Sequence, residues 1–308
     1  MAMEVAGVFP ETEAWSRFAQ KLLLWLGVLS MAVGVVFFVA FNWDAMGKYG
    51  KFALLEGLLI LSLLPLLRYD RRSLIGQIAL IAGSILVGAL LALIGQTYQS
   101  GADTWQLFGT WALLILPWAI LARSTPLWIL WIGITNTALV LYFSLFPLPL
   151  FGARSSEAVM ALAVLLFNAL ILFIWEWKLR AHPGSNRLAL RIPATLAAMA
   201  ATTLGLQFAI ASGSGAEEAM PPFFRLILWA LWLGITCLIY RTSIRDLFML
   251  TLGCLSVIIV VVGWLGVYVL PGMSVIGLSL MTVVLVIVGG GTTAWLRLTY
   301  HHWREEDA

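Results

Sequence analysis

Charge is scarce in this chain. Only 11% of its 308 residues are Asp, Glu, Lys or Arg, where a water-soluble domain carries about 25%. That shortage excludes an ordinary globular protein with a solvated surface. Histidine is rarer still. His182, His301 and His302 are the only three, and none falls in an apolar run. The sequence has no His-Glu-x-x-His zinc motif, no Gly-x-Ser-x-Gly elbow and no Gly-rich phosphate loop. No catalytic residue, metal ligand or cofactor site is therefore assigned, and the chain is not expected to be an enzyme. His301 and His302 read as part of a solvated tail. The two cysteines, Cys237 and Cys254, lie inside apolar runs, where buried thiols are expected and a structural disulfide is not. Long polar stretches are missing too. The longest, 178–189 and 212–222, leave no room for a folded aqueous domain. The first twenty residues hold Glu4, Glu11 and Glu13 and lack a basic leader with a cleavage site, so the first apolar run is expected to be a retained anchor.

What fills the chain is hydrocarbon. Hydrophobic residues make up 62%, and the mean hydropathy is +0.98. The run from Leu22 to Phe41 contains no charge; as a helix at about 1.5 Å per residue it spans about 30 Å, the hydrocarbon thickness of a bilayer. Nine more runs follow, at 52–67, 74–95, 105–122, 127–146, 158–177, 191–211, 223–240, 247–269 and 273–296. The expected fold is an all-α integral membrane protein of ten transmembrane helices.

The cations in the connections assign an orientation. Arg17, Lys21, Arg68, Arg71, Arg72, Arg123, Lys178, Arg180, Arg187, Arg191, Arg241, Arg245, Arg297 and Arg304 fall on one side by parity. Lys48, Lys51, Arg154 and Arg225 fall on the other. Fourteen against four over short loops places both termini in the cytoplasm. The net charge of +3 is thus spent on topology, and no nucleic-acid partner is expected. The layout is a cytoplasmic segment (1–21), a five-helix half (22–146), an outer loop (147–157), a second five-helix half (158–296) and a cytoplasmic tail (297–308). Because five is odd, the halves would have opposite sense, an inverted 5+5 arrangement.

Tryptophans fit the same slab. Trp43 and Trp105 fall at the outer boundary, Trp175, Trp177 and Trp295 at the inner one, and interfacial anchoring accounts for most of the fifteen. Small residues forecast packing. Ser84, Gly88 and Ala92 form one stripe that lets a neighbouring backbone approach. Gln96 continues the stripe and is expected to point inward. Ala197, Ala201 and Gly205 form a similar row, and Gly289, Gly290 and Gly291 mark close packing or a bend.

Polar side chains within the slab need partners. The predicted outer ends of the first four helices gather Asn42, Asp44, Lys48, Lys51, Glu56, Gln96, Tyr98, Gln99 and Asp103. Together they read as a polar vestibule, with Glu56 as carboxylate, a lysine as counter-charge and the amides as its wall. Each also has a plainer role: Asp103 with Gln106 fits a capping box, the lysines reach headgroups, and Glu56 is shallow enough to snorkel. A second candidate is a midplane pair, Asn136 and Asn168, at equal depth in successive helices. An interhelical amide hydrogen bond and a substrate contact both fit.

The sequence Asn42-Trp43-Asp44, Lys48 before the second helix, Gly95-Gln96-x-Tyr98, and the Trp-opened fourth helix with Pro117-Trp118 and Arg123 resemble a bacterial family described only as a predicted membrane protein with a domain of unknown function. The resemblance spans residues 15–142. It implies an integral protein of the inner membrane and draws attention to Asn42, Asp44, Lys48, Gln96 and Tyr98. It brings no reaction with it.

Two functions suit this sequence. One is a transporter or translocase moving a small solute or lipid-linked group through a polar cavity open to the outer side. The other is a non-enzymatic scaffold or sensor subunit binding a membrane-protein partner. The bilayer itself is the one certain surrounding.

Overall fold

The computed structural model describes residues 12–41, 45–99, 101–146, 156–181, 188–214, 220–269 and 275–306. The described residues are helical, with no strand among them. The helices are α1 (Thr12–Phe41), α2 (Lys48–Leu63), α3 (Leu74–Tyr98), α4 (Thr104–Ala122), α5 (Thr125–Leu145), α6 (Ser156–Ala181), α7 (Leu188–Ser214), α8 (Pro222–Leu238), α9 (Leu247–Val269) and α10 (Val275–Glu306). A 3-10 turn, Leu64–Leu67, extends α2, and a π-turn, Ile239–Ser243, extends α8. Ten of these segments are long and apolar enough to cross a membrane. The reason is that hydrocarbon offers no hydrogen bonds, so each backbone group must be satisfied within its own helix.

Two ends depart from expectation. The helix α1 starts at Thr12, well before Leu22, and α10 runs to Glu306. The expected tail from residue 297 is therefore the last turns of a helix, with His302 Nε2 3.1 Å from Glu306 Oε1. Gly289, Gly290 and Gly291 lie within the continuous helix α10 and are not closely packed among the described residues; a Cβ at any of them would meet nothing within 4 Å.

The chain divides into two compact units, Met1–Ala138 and Leu139–Ala308. In the first, α3 is central, touching α1, α2 and α4. Leu55, Leu86 and Leu93 join α2 to α3, while Leu80, Ala119, Ala122 and Leu127 join α3, α4 and α5. Lipid is as apolar as leucine, so close approach and dispersion hold these helices together, and small residues matter most. Ser84 is 0% exposed, its hydroxyl donating back to Leu80 O at 2.7 Å. Gly88 faces the Trp111 indole, which would lie 2.5 Å from any added Cβ. The same indole N–H donates to Ser84 O at 2.7 Å. Pro117, in α4, leaves the helix continuous.

In the second unit α7 is central. Ala158, Ala161 and Leu165 of α6 pack on Ala197, Ala200, Ala201 and Leu204 of α7. Gly205 lies under Val260 and Trp229; a Cβ there would sit 2.7 Å from Val260 Cγ2 and 3.2 Å from the indole. Trp229 Nε1 donates to Ser256 Oγ at 2.9 Å, and the Ser256 and Thr202 hydroxyls share a bond of 2.7 Å. The Thr202 oxygen is also 2.6 Å from Ala198 O. One proton per hydroxyl fixes the sense: Trp229 to Ser256, Ser256 to Thr202, Thr202 to Ala198. Cys237 and Cys254 are free thiols, each half-buried.

The tryptophans thus do more than anchor. Trp111, Trp229, Trp131 (to Ala112 O, 3.0 Å) and Trp303 (to Arg241 O, 3.2 Å) all spend their N–H groups inside a unit.

Candidate functional site

A concavity opens where α3 ends and α4 begins. Its geometry comes from the turn. Gln99 closes α3 in the left-handed region (φ 44°), and Gly101 follows at φ 65°. Only glycine adopts that second angle without cost. The chain reverses at once, and Asp103 stands at the N-cap of α4. A groove of about 1010 Å³ results. Gln96, Gln99, Asp103, Thr104, Gln106 and Thr110 supply its polar lining, and Leu91, Ile94, Leu107 and Leu113 its apolar wall.

The sequence-predicted residues distribute unevenly around it. Gln96, Gln99 and Asp103 share the groove. Gln96 is exposed, not packed inward; the buried stripe of Ser84 and Gly88 runs out one turn earlier, because α4 diverges from α3 at the turn that makes the groove. Asp103 makes no side-chain cap bond, and Gln106 N–H donates to the Asp103 main-chain oxygen at 3.0 Å. The capping box is therefore not formed, and the carboxylate stays on the groove's rim.

Lys48 and Tyr98 come together beside it. The Lys48 ammonium lies 4.8 Å from the Tyr98 ring centroid and 5.6 Å from that of Tyr49. Phe52 packs against Tyr98 with the rings tilted by 42° and their centroids 6.1 Å apart. Lys51, one turn into α2, is only 8% exposed. Glu56 is exposed on α2 and does not line the groove. Asn42 and Asp44 lie outside the described residues.

Each member of the midplane pair makes one bond within its own helix. Asn136 donates to Ile132 O and Asn168 to Val164 O, each at 2.8 Å and each along its own helix. Asn136 belongs to the first unit and Asn168 to the second. Asn168 is 0% exposed. Such a back-bond uses one of the amide's two N–H groups where no water reaches.

Two buried ionisable residues escaped the sequence reading. Arg225, counted there only as a topological charge, is 2% exposed in α8, with Nη1 3.5 Å from the Gln207 main-chain oxygen. Glu176, in α6, is 8% exposed. Both sit near helix ends, where a charge in the sequence looks interfacial. Among the described residues no cluster of three or more His, Cys, Asp or Glu side chains is placed to hold a metal ion. A smaller cavity of about 320 Å³ lies among α8, α9 and α10, lined by Cys237, Cys254 and mostly apolar neighbours.

Residues 8–128 match the family model described as "Predicted membrane protein (DUF2157)". The resemblance read from the first half of the sequence is borne out over that stretch, which contains α1 to α4 and the whole groove. No curated protein and no solved structure matches the chain.

Proposed function

We propose that this protein, set in a bacterial inner membrane with both termini inside, uses the α3–α4 groove to receive and transfer an amphipathic, lipid-linked group on the outer side. The observation that carries the reading is the groove's composition. Amides, hydroxyls and one carboxylate line it, and an apolar wall continues from them. A purely polar solute would leave that wall unsatisfied, whereas a headgroup with its chain matches both parts. Donors and acceptors dominate over charge, so hydrogen bonding to a polar headgroup is the recognition chemistry. Lys48 on Tyr98 adds a single cation at the edge.

Glu56 stands away from the groove, and transfer is therefore not coupled to its protonation. The alternative is a scaffold or sensor subunit. It draws on α1, whose apolar side chains Leu23, Met31 and Phe37 are exposed along its length and offer a face to another membrane helix.

Proteoliposomes containing NBD-labelled phosphatidylethanolamine separate the two. Dithionite bleaching of the inner-leaflet label is expected to exceed that of protein-free vesicles, and to fall in the double variant Gln96→Ala/Asp103→Ala. Bleaching equal to protein-free vesicles, with stable co-purification of another membrane protein lost on α1 substitution, would establish the subunit instead.

A further inference from the structure

The other end of the first unit carries a second concavity with the opposite electrostatic character. About 670 Å³ in volume, it is lined by Leu66, Tyr69, Asp70, Arg71, Arg72, Leu80, Trp118 and Leu121. The geometry points to a binding site for the phosphate headgroup of an anionic phospholipid, with Arg71 and Arg72 on the phosphate and Leu66, Trp118 and Leu121 along the first part of an acyl chain. This site is independent of the groove reading, since it lies at the opposite end of α3.

Three observations carry the assignment. First, neither guanidinium has a carboxylate partner among the described residues. Asp70 is the only acid in the turn, and its Oδ1 accepts the Arg72 main-chain N–H at 2.7 Å. The lining therefore holds two cations against one anion, a surplus that favours a negatively charged headgroup. Second, the turn is held in place. Ser73 caps α3, donating to Asp70 O at 2.6 Å and accepting from Gly76 N–H at 3.1 Å. Gln77 Nε2 donates to Arg72 O at 2.9 Å, and the Ser124 hydroxyl donates to Gln77 Oε1 at 3.0 Å. A side chain at Gly76 would collide with the Asp70 carbonyl. The arginines therefore stand on a braced loop, which lowers the ordering cost of binding. Third, the basic rim runs directly into an indole and leucines. A free phosphate ion would use only the rim; a phospholipid uses all of it.

The test employs the purified full chain in detergent, with phosphatidylglycerol and phosphatidylcholine of matched acyl chains, read by native mass spectrometry. Phosphatidylglycerol is expected to be retained in preference. Arg71→Gln and Arg72→Gln each lower that preference by about fivefold, the factor for one arginine at an anionic surface. Arg71→Lys keeps most of it, and Arg304→Gln, in the last turn of α10 and not part of this lining, leaves it unchanged. Leu121→Gln weakens retention of the lipid without creating any response to inorganic phosphate. Equal retention of both lipids, or an unchanged preference in the Arg71→Gln/Arg72→Gln double variant, overturns the site. Displacement of the lipid by millimolar inorganic phosphate overturns the lipid assignment, because the apolar wall would then contribute nothing.

Discussion

A methyl group added at Gly88 tests the packing of the first unit most sharply. The Cβ of Gly88→Ala would lie 2.5 Å from Trp111 Cε2 and Cζ2, well inside van der Waals contact. The indole cannot simply swing aside, because its N–H is committed to Ser84 O at 2.7 Å on the same helix. Relief requires either moving α4 off α3 or breaking that hydrogen bond. Overpacking of this kind costs about 1–3 kcal/mol, and a buried donor left unsatisfied costs about 1–3 kcal/mol. A loss of about 2–4 kcal/mol is expected, since the two penalties are partly alternatives. Equilibrium unfolding in mixed detergent and SDS micelles, followed by tryptophan fluorescence, measures it. Gly95→Ala on the same helix is the control: nothing lies within 4 Å, and the gain in helix propensity makes it neutral or stabilising by up to about 1 kcal/mol. Trp111→Leu should relieve the clash, so the double variant with Gly88→Ala loses less than the sum of the singles. Equal stabilities for Gly88→Ala and Gly95→Ala, or strict additivity, would refute the argument.

Other residues give independent readings. Ser256→Ala strands the half-buried Trp229 N–H and removes the Thr202 contact; a loss of about 1–3 kcal/mol in the same unfolding assay is expected. Ser84→Ala should cost under about 1 kcal/mol, because Trp111 binds the main-chain oxygen and only the back-bond to Leu80 is lost. Gly95→Leu places a side chain into open space at the groove; dithionite bleaching should slow to the protein-free rate while stability is retained. Glu56→Gln is expected to leave that rate unchanged, and a large decrease would reinstate Glu56 as part of the path.

The helices were legible because their cause is local. A run of apolar residues without charge has one satisfactory backbone conformation in hydrocarbon, and from Lys48 to Val269 the observed bounds follow the runs to within about four residues. The outermost ends were less readable: Thr12–Lys21 and Arg297–Glu306 carry charges yet continue their helices, since a helix does not stop where the bilayer does. Burial was legible only where small residues spelled it out, as at Ser84, Gly88, Ala197 and Ala201. Gln96 illustrates the limit. Its helical phase pointed inward, but the neighbour that would cover it had already turned away at Gln99 and Gly101. The backbone angles at Gln99 and Gly101 decided that, and no periodicity records them. Lys51, Arg225 and Glu176 were hidden for a similar reason, because a charge near a helix end has the same spacing whether it reaches water or folds back into the protein.

The absence of a second Asn-Trp-Asp or Gly-Gln-x-Tyr element counts against repetition of the polar features, yet the packing device does recur. In one unit Gly88 of α3 receives Trp111 of α4; in the other Gly205 of α7 receives Trp229 of α8. Trp111 and Trp229 each open a Trp-Ala-Leu sequence, and Arg123 and Arg241 each follow twelve residues later. Ser84 before Gly88 matches Ala201 before Gly205, both buried. The correspondence pairs α3 with α7 and α4 with α8, an offset of four helices. Gly205→Ala should therefore repeat the Gly88→Ala loss in its own unit, with Val260 and Trp229 in place of Trp111. Polar groups are free to diverge once they serve different ligands. A glycine under an indole is not, because any enlargement there moves a helix.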